Sequence, residues 1–184
     1  MAKCPECFEA NISDLHTVSH DDKNNQYMTD SCIAVYDFDG IKDWYWGNVI
    51  KRREKGPSND ALYIDGDRMV FIEFKNGNFE VYGKNGLVTK IYDSLLILFD
   101  EETPTKEVCK DFRASINWSR SHIEYILVYN KDKIPPEHNS RKKINMELGR
   151  LARFGLSRYE GFLFSKVRTY TVDEFEAFFV KNVQ

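Results

Sequence analysis

Two acidic residues and a lysine in the middle of the chain have types and a spacing that suit hydrolysis of a phosphate ester. Asp60 precedes one short apolar run, and Glu73 and Lys75 lie at the end of a second run. Carboxylate oxygens are the ligands that Mg²⁺ prefers, and an ammonium group can orient a water molecule and offset negative charge on phosphate. Asp60 and Glu73 are therefore candidate metal ligands, and Asp60, Glu73 and Lys75 are candidate catalytic residues.

The sequence predicts a β-hairpin that brings these residues together. The apolar runs 61–64 and 69–74 flank an Asp-Gly pair at 65–66, which is a strong hairpin signal between strand-like runs. Side chains alternate along a strand, so Glu73 and Lys75 share one face. Because pairing across a tight turn aligns the far ends of both strands, we expect Asp60 near Glu73. The alternative is that Glu-x-Lys here is only a solvated face or a cross-strand ion pair.

An Asp followed by Glu-x-Lys on the next strand resembles the PD-(D/E)xK nuclease superfamily. Here the pattern is Asp60 and then Glu73-Phe74-Lys75; Ser58-Asn59 stand before the Asp, where the family often has a proline, and Pro57 is one place further back. The resemblance implies a restriction-endonuclease-like α/β fold, with a mixed central sheet flanked by helices. It also implies that Asp60 and Glu73 hold Mg²⁺ or Mn²⁺ while Lys75 orients the attacking water. The expected substrate is nucleic acid, DNA favoured over RNA, and the expected assembly is a homodimer.

Charge is distributed unevenly along the chain, whose formal net charge is −3. The first 39 residues are acidic, whereas residues 141–168 are rich in lysine and arginine. A basic face can follow a phosphate backbone, although a solvated helix face is the simpler explanation of a charge run. The candidate nucleic-acid contacts are Lys84, Lys90, Arg141, Lys142, Lys143, Arg150 and Arg153.

The acidic balance supports a second hypothesis for function. An acidic surface attracts a basic protein partner and repels nucleic acid. On this reading the chain is a catalytically inactive nuclease-like scaffold that acts as an inhibitor, an immunity protein or a regulator.

Periodicity predicts how the chain is organised around the hairpin. We expect a polar arm over residues 1–30 and a single α/β domain over 31–184. Apolar spacing predicts helices near 41–53, 87–100 and 137–154, with strands near 31–38, 122–129 and 162–170. The polar, glycine-bearing stretch 76–86 is expected to form a short strand or a flap, and the sequence at 171–174 is a capping box for a final helix.

The N-terminal arm contains a Cys-x₂-Cys pair and a His-x₃-His pair, at Cys4, Cys7, His16 and His20. These four side chains can form a tetrahedral zinc site, or the arm carries incidental thiols. The chain has no apolar run long enough for a membrane span and no signal-peptide pattern at its N-terminus. We therefore expect a cytoplasmic protein with reduced cysteines.

Overall fold

The computed structural model describes residues 6–77, 79–133 and 152–183. Eight strands are present in these ranges: β1 Ile12–Asp14, β2 His20–Asp21, β3 Gln26–Tyr27, β4 Ala34–Asp37, β5 Ala61–Asp65, β6 Arg68–Lys75, β7 Ile123–Tyr129 and β8 Lys166–Thr171. The α-helices are α1 Glu6–Glu9, α2 Leu15–Val18, α3 Phe38–Tyr45, α4 Phe79–Phe99, α5 Thr105–Val108, α6 Ile116–His122, α7 Val172–Phe175 and α8 Lys181–Val183. Trp46–Ile50 and Glu176–Val180 are π-helical, and Lys131–Lys133 and Leu156–Tyr159 are 3₁₀ turns.

Six of these strands form one mixed sheet, in the order β1-β4-β5-β6-β7-β8. Strands β1, β4, β5 and β6 pair antiparallel with their neighbours, whereas β6, β7 and β8 are parallel. The parallel crossover from β6 to β7 contains the 21-residue helix α4, as parallel neighbours require a long connection. The short strands β2 and β3 form a separate two-stranded hairpin. The expected α/β architecture with a mixed central sheet flanked by helices is confirmed.

Both faces of the sheet are covered, and alternation along β6 separates them. Met69 and Phe71 point into a core shared with α1, α3 and α4. Val70 and Ile72 point into a second core, formed with the C-terminal helices. A strand buried on both faces has a nearly continuous apolar sequence, which explains the apolar residues at successive positions of β6. Glu73 and Lys75 follow Phe71 in the alternation and so belong to the face that α4 covers.

The predicted hairpin is confirmed, and its turn depends on a glycine. Asp65 pairs with Arg68 at the closed end of the hairpin. Gly66 has a φ of +63°, a left-handed conformation that costs other L-residues free energy because of their Cβ atom.

Replacing Gly66 with Ala should lower the free energy of unfolding by about 1 kcal/mol through backbone strain alone. Among the described residues, and apart from the chain neighbours and the helix's own backbone, no atom lies within 4 Å of an added Cβ at Gly66 or at Gly86 in α4. Gly86→Ala is the matched control, and it should instead raise the free energy of unfolding by about 0.5–1 kcal/mol because alanine favours helix. Equilibrium unfolding in urea measures the free energy of unfolding of both variants. Effects of the same sign would contradict the left-handed conformation of Gly66.

Helix α4 begins earlier than the sequence predicts. The stretch 76–86 was expected to form a short strand or a flap, but the helix already begins at Phe79. Glycines at 83 and 86 lower helix propensity by about 1 kcal/mol each relative to alanine. Packing of the downstream turns against the sheet, through Leu87, Ile91 and Leu95, offsets that cost, since tertiary contacts routinely override propensity.

Several other boundaries differ by a few residues from the predicted ones. The strand expected over 31–38 spans Ala34–Asp37, and the strand expected over 162–170 spans Lys166–Thr171. The helix expected over 41–53 is an α-helix over Phe38–Tyr45 that continues as a π-helical turn. The capping box at Thr171 and Glu174 is confirmed. Most of the helix predicted over 137–154 lies outside the described residues.

The segment before residue 31 contributes to the main sheet and to both cores. Strand β1 pairs antiparallel with β4 at the sheet edge. Phe8 and Leu15 are fully buried, one in each core. Within the described ranges, no helix combines the length and apolarity that a membrane crossing requires.

Candidate functional site

Asp60 is held at the open end of the hairpin by a backbone hydrogen bond. It immediately precedes β5, and its Oδ2 atom accepts a hydrogen bond of 2.6 Å from the N–H of Phe74 near the end of β6. The bond joins the start of one strand to the end of the other. The predicted proximity of Asp60 to Glu73 is therefore confirmed.

A lysine from α4 lies between the two acids. The Nζ atom of Lys90 is 3.0 Å from Asp60 Oδ1, and it is 2.7 Å and 2.9 Å from the two carboxylate oxygens of Glu73. The Glu73 side chain is only 2% exposed, against 17% for Asp60 and 27% for Lys90. We call these three side chains the acid–lysine cluster. Its two carboxylates converge on a single positive charge.

The position of Lys90 follows from the packing of α4 on the sheet. Leu87, Ile91, Leu95 and Leu98 form the apolar stripe that faces the core. Lys90 and Ser94 lie on the same helical face, because i, i+3, i+4 and i+7 positions coincide in an α-helix. Burial of this face places both polar side chains against the start of β5.

Ser94 provides the second polar contact between α4 and β5. Its Oγ atom, fully buried, accepts a 2.9 Å hydrogen bond from the N–H of Asn59. Asn59 and Asp60 therefore contact helix residues one turn apart. These contacts align the cluster lysine with its acids.

Removing the Ser94 hydroxyl should destabilise this junction. In a Ser94→Ala variant, the buried N–H of Asn59 loses its partner, and we expect a loss of about 1–3 kcal/mol in the free energy of unfolding. Urea unfolding is the measurement. Ser121→Ala is the control, since the Ser121 hydroxyl only donates a long, exposed bond of 3.4 Å. A loss no larger than the control's would show that the contact is dispensable.

Burial dominates the electrostatics of the two acids. The pKa of Glu73 is raised to about 8, because burial and then the negative charge of Asp60 raise it by more than the positive charges of Lys90 and Lys75 lower it. Burial also raises the pKa of Asp60, against the opposing effects of Lys90 and of the Phe74 N–H. For Lys90, burial acts to lower the pKa, but contact with Glu73 and Asp60 outweighs it and the pKa is raised. The cluster therefore combines a charged lysine with a carboxyl that readily holds a proton.

Lys75 lies beside the cluster and lines a surface cavity. It is the last residue of β6, and its charge acts on Glu73. Asp60 and Lys75 both line a cavity of about 290 Å³, which residues of the β2–β3 hairpin, including His20 and Asn24, also line. Solvent in this cavity can thus reach Asp60, the member of the cluster that lines it.

The donor chemistry of the cluster fits a divalent cation. Three carboxylate oxygens already surround one cationic nitrogen at 2.7–3.0 Å. Mg²⁺ commonly binds through one or two carboxylates and keeps several waters, so two acids suffice. Among the described residues, no group of three or more His, Cys, Asp or Glu side chains forms a metal-binding cluster.

The structure describes only part of the predicted basic surface. Arg141, Lys142, Lys143 and Arg150 lie outside the described residues, as does the side chain of Lys84. The Arg153 guanidinium lies 5.3 Å from the centre of the Tyr129 ring. The nucleic-acid contacts stay predictions.

The role of Lys90 in the cluster was not predicted from the sequence. Its positive charge suggested only a contact with nucleic acid. The overlooked signal was its place in the helical repeat, on the apolar face of α4.

The predicted zinc ligands have other partners where the structure describes them. Cys7 is buried in the core, the His16 ring stacks on Tyr27 with its Nδ1 atom 3.0 Å from a backbone carbonyl, and His20 contacts Asp22. Cys4 lies outside the described residues, so the zinc site stays a prediction.

No protein-family model matches this chain, and neither the curated proteins nor the solved structures contain a significant match to it.

Proposed function

We propose that this protein is a metal-dependent nuclease that hydrolyses phosphodiester bonds of nucleic acid. The observation that carries the proposal is the convergence of Asp60 and Glu73 on one cationic atom, with Lys75 beside them at a solvent-accessible cavity. Two carboxylates and an ammonium at the open end of a hairpin are the functional groups that the PD-(D/E)xK resemblance implies.

The architecture supports the same proposal. Strands β4, β5 and β6 form an antiparallel meander, and α4 then leads to the parallel strand β7. This order agrees with the restriction-endonuclease-like fold expected from the resemblance. Many α/β proteins share such layers, so we infer the function from the residues of the site.

Each residue of the site has a distinct task in the proposed reaction. Asp60 and Glu73 would hold Mg²⁺ or Mn²⁺, which when bound supplies Lewis-acid activation of the phosphate and lowers the pKa of a bound water. Lys75 would orient the attacking water and offset negative charge that develops on the phosphate. The Phe74 N–H fixes one oxygen of Asp60, so that carboxylate needs little reorganisation during the reaction.

A cleavage assay tests the proposal directly. Purified protein is incubated with single-stranded DNA, duplex DNA and RNA, each with Mg²⁺, with Mn²⁺ or with EDTA. We expect cleavage with a divalent cation and none with EDTA, and DNA as the better substrate. Absence of cleavage in every combination, together with absence of Mn²⁺ binding, would overturn the proposal.

The inactive scaffold is the second candidate, and the same cluster favours it. Lys90 already contacts both acids, as in a buried structural ion cluster, and such clusters occur without any catalytic role. Asp22 and Asp30 are exposed on the N-terminal segment, where they suit a basic protein partner. Saturable Mn²⁺ binding that Asp60→Asn abolishes favours the nuclease, whereas tight binding of a basic protein without metal uptake favours the scaffold.

A further inference from the structure

Lys90 occupies the position where the two acids can hold a cation. Its ammonium is within 3.0 Å of three carboxylate oxygens, and those oxygens belong to the two proposed metal ligands. An ammonium group and a divalent cation bound to the same oxygens would repel each other strongly in a buried site. Both cannot remain in contact with Asp60 and Glu73.

We propose that Lys90 is a built-in competitor of the divalent cation, and that metal uptake requires its ammonium to leave the two carboxylates. This inference rests on the proposed function, because it assigns a further positioning residue to the same site. Lys90 keeps the buried acids compensated in the metal-free protein. On metal binding, its charge moves toward solvent.

The surroundings of Lys90 permit this movement. Its side chain is 27% exposed, whereas that of Glu73 is 2% exposed, so the lysine is the member of the pair with access to water. A lysine side chain carries its charge on a flexible four-carbon stem. Rotation of this stem can release the acids without displacement of α4, whose apolar stripe and Ser94 contact stay in place.

Mn²⁺ affinity of a Lys90→Met variant tests the competition. Binding is measured from the electron paramagnetic resonance signal of free Mn²⁺, at one fixed pH, for the wild type and the variant. We expect the variant to bind Mn²⁺ at least about tenfold more tightly, because no ammonium has to be displaced. Equal or weaker binding would overturn the inference.

Lys166→Met is the matched control for that substitution. Lys166 lies 3.6 Å from Glu124, at the opposite end of the parallel strands. This variant loses a lysine from a carboxylate pair without touching the cluster. Its Mn²⁺ affinity should equal that of the wild type, and a gain matching that of Lys90→Met would attribute the effect to overall charge and overturn the inference.

Amine reactivity provides a second test that needs no variant. Wild-type protein is acetylated briefly with an amine-reactive ester in EDTA and in saturating Mn²⁺, and each lysine is quantified by mass spectrometry. Release of Lys90 from its acids should raise its acetylation rate at least about fivefold, since an ion-paired amine is a poor nucleophile, while Lys166 stays unchanged. A Lys90 rate unaffected by bound Mn²⁺ would refute displacement.

Failure of the inference is distinguishable from failure of the proposed function. Mn²⁺ binding to the wild type with no gain in Lys90→Met rejects only the competition. Absence of Mn²⁺ binding to both proteins rejects the metal site, and the competition with it.

Discussion

Replacing Glu73 with Gln should lower the rate of divalent-cation-dependent cleavage by at least about 10³-fold, because the amide cannot provide the charge of a metal ligand. Glu73 is the most buried member of the acid–lysine cluster. In the variant, water therefore has no access to take the place of the lost carboxylate as a metal ligand. Gln is nearly isosteric and keeps one oxygen as an acceptor for Lys90. The measurement is the single-turnover cleavage rate of the best substrate at saturating Mn²⁺.

Two further variants make this result specific. Lys75→Ala should lower the rate by about 10²-fold while Mn²⁺ affinity is retained, since we assign Lys75 to the water and phosphate rather than to the metal.

Arg68→Met is the matched control on the same strand. Arg68 pairs with Glu124 at the other end of β6, and Lys166 remains within 3.6 Å of that carboxylate. If Glu73→Gln cleaves as fast as Arg68→Met, Glu73 has no part in catalysis.

The metal-free protein should lose stability as the pH rises from about 4.5 to about 8, and Glu73 should account for much of that loss. The folded protein raises the pKa of this carboxyl from 4.5 to about 8, mainly through burial and then through the charge of Asp60. Between these two values the folded state keeps a proton that the unfolded chain has released. Each pH unit in this window therefore lowers the free energy of unfolding by roughly 1 kcal/mol.

The comparison with Glu73→Gln isolates this contribution. The variant has no carboxyl to ionise at position 73, so it should lack the part of the pH dependence of the free energy of unfolding that Glu73 causes. Urea unfolding is measured in EDTA at several pH values, and the difference in free energy between the two proteins is plotted against pH. The difference should shift by a few kcal/mol in favour of the variant across the window. A difference independent of pH would show that Glu73 is ionised at neutral pH in the folded protein.

Local rules predicted the part of the site that lies on the hairpin. The Asp-Gly turn and the two apolar runs are short-range signals, and the pairing of β5 with β6 agrees with them. The period of two in a strand then placed Glu73 and Lys75 on one face. The approach of Asp60 to Glu73 required only that the two strands be aligned, so it too was predictable.

The remaining partner in the site depended on how distant segments pack. Lys90 is 17 residues after Glu73 in the chain and reaches it through a helix–sheet contact. The role of the N-terminal segment also depended on distant packing. Its polar composition did not predict the edge strand β1, which pairs with β4. Sequence periodicity gives the face of a helix but not the register at which that face meets the sheet.

The sequence by itself determined the α/β class, the hairpin and the acidic pair at its open end, whereas the mixed sheet was implied by the resemblance to the PD-(D/E)xK superfamily. The hairpin and the acidic pair arise from turn chemistry and side-chain periodicity, which act over a few residues. Only the tertiary structure decided that both carboxylates meet a lysine rather than water. That outcome follows from the docking of α4, where burial of an apolar stripe carries Lys90 into the space between Asp60 and Glu73.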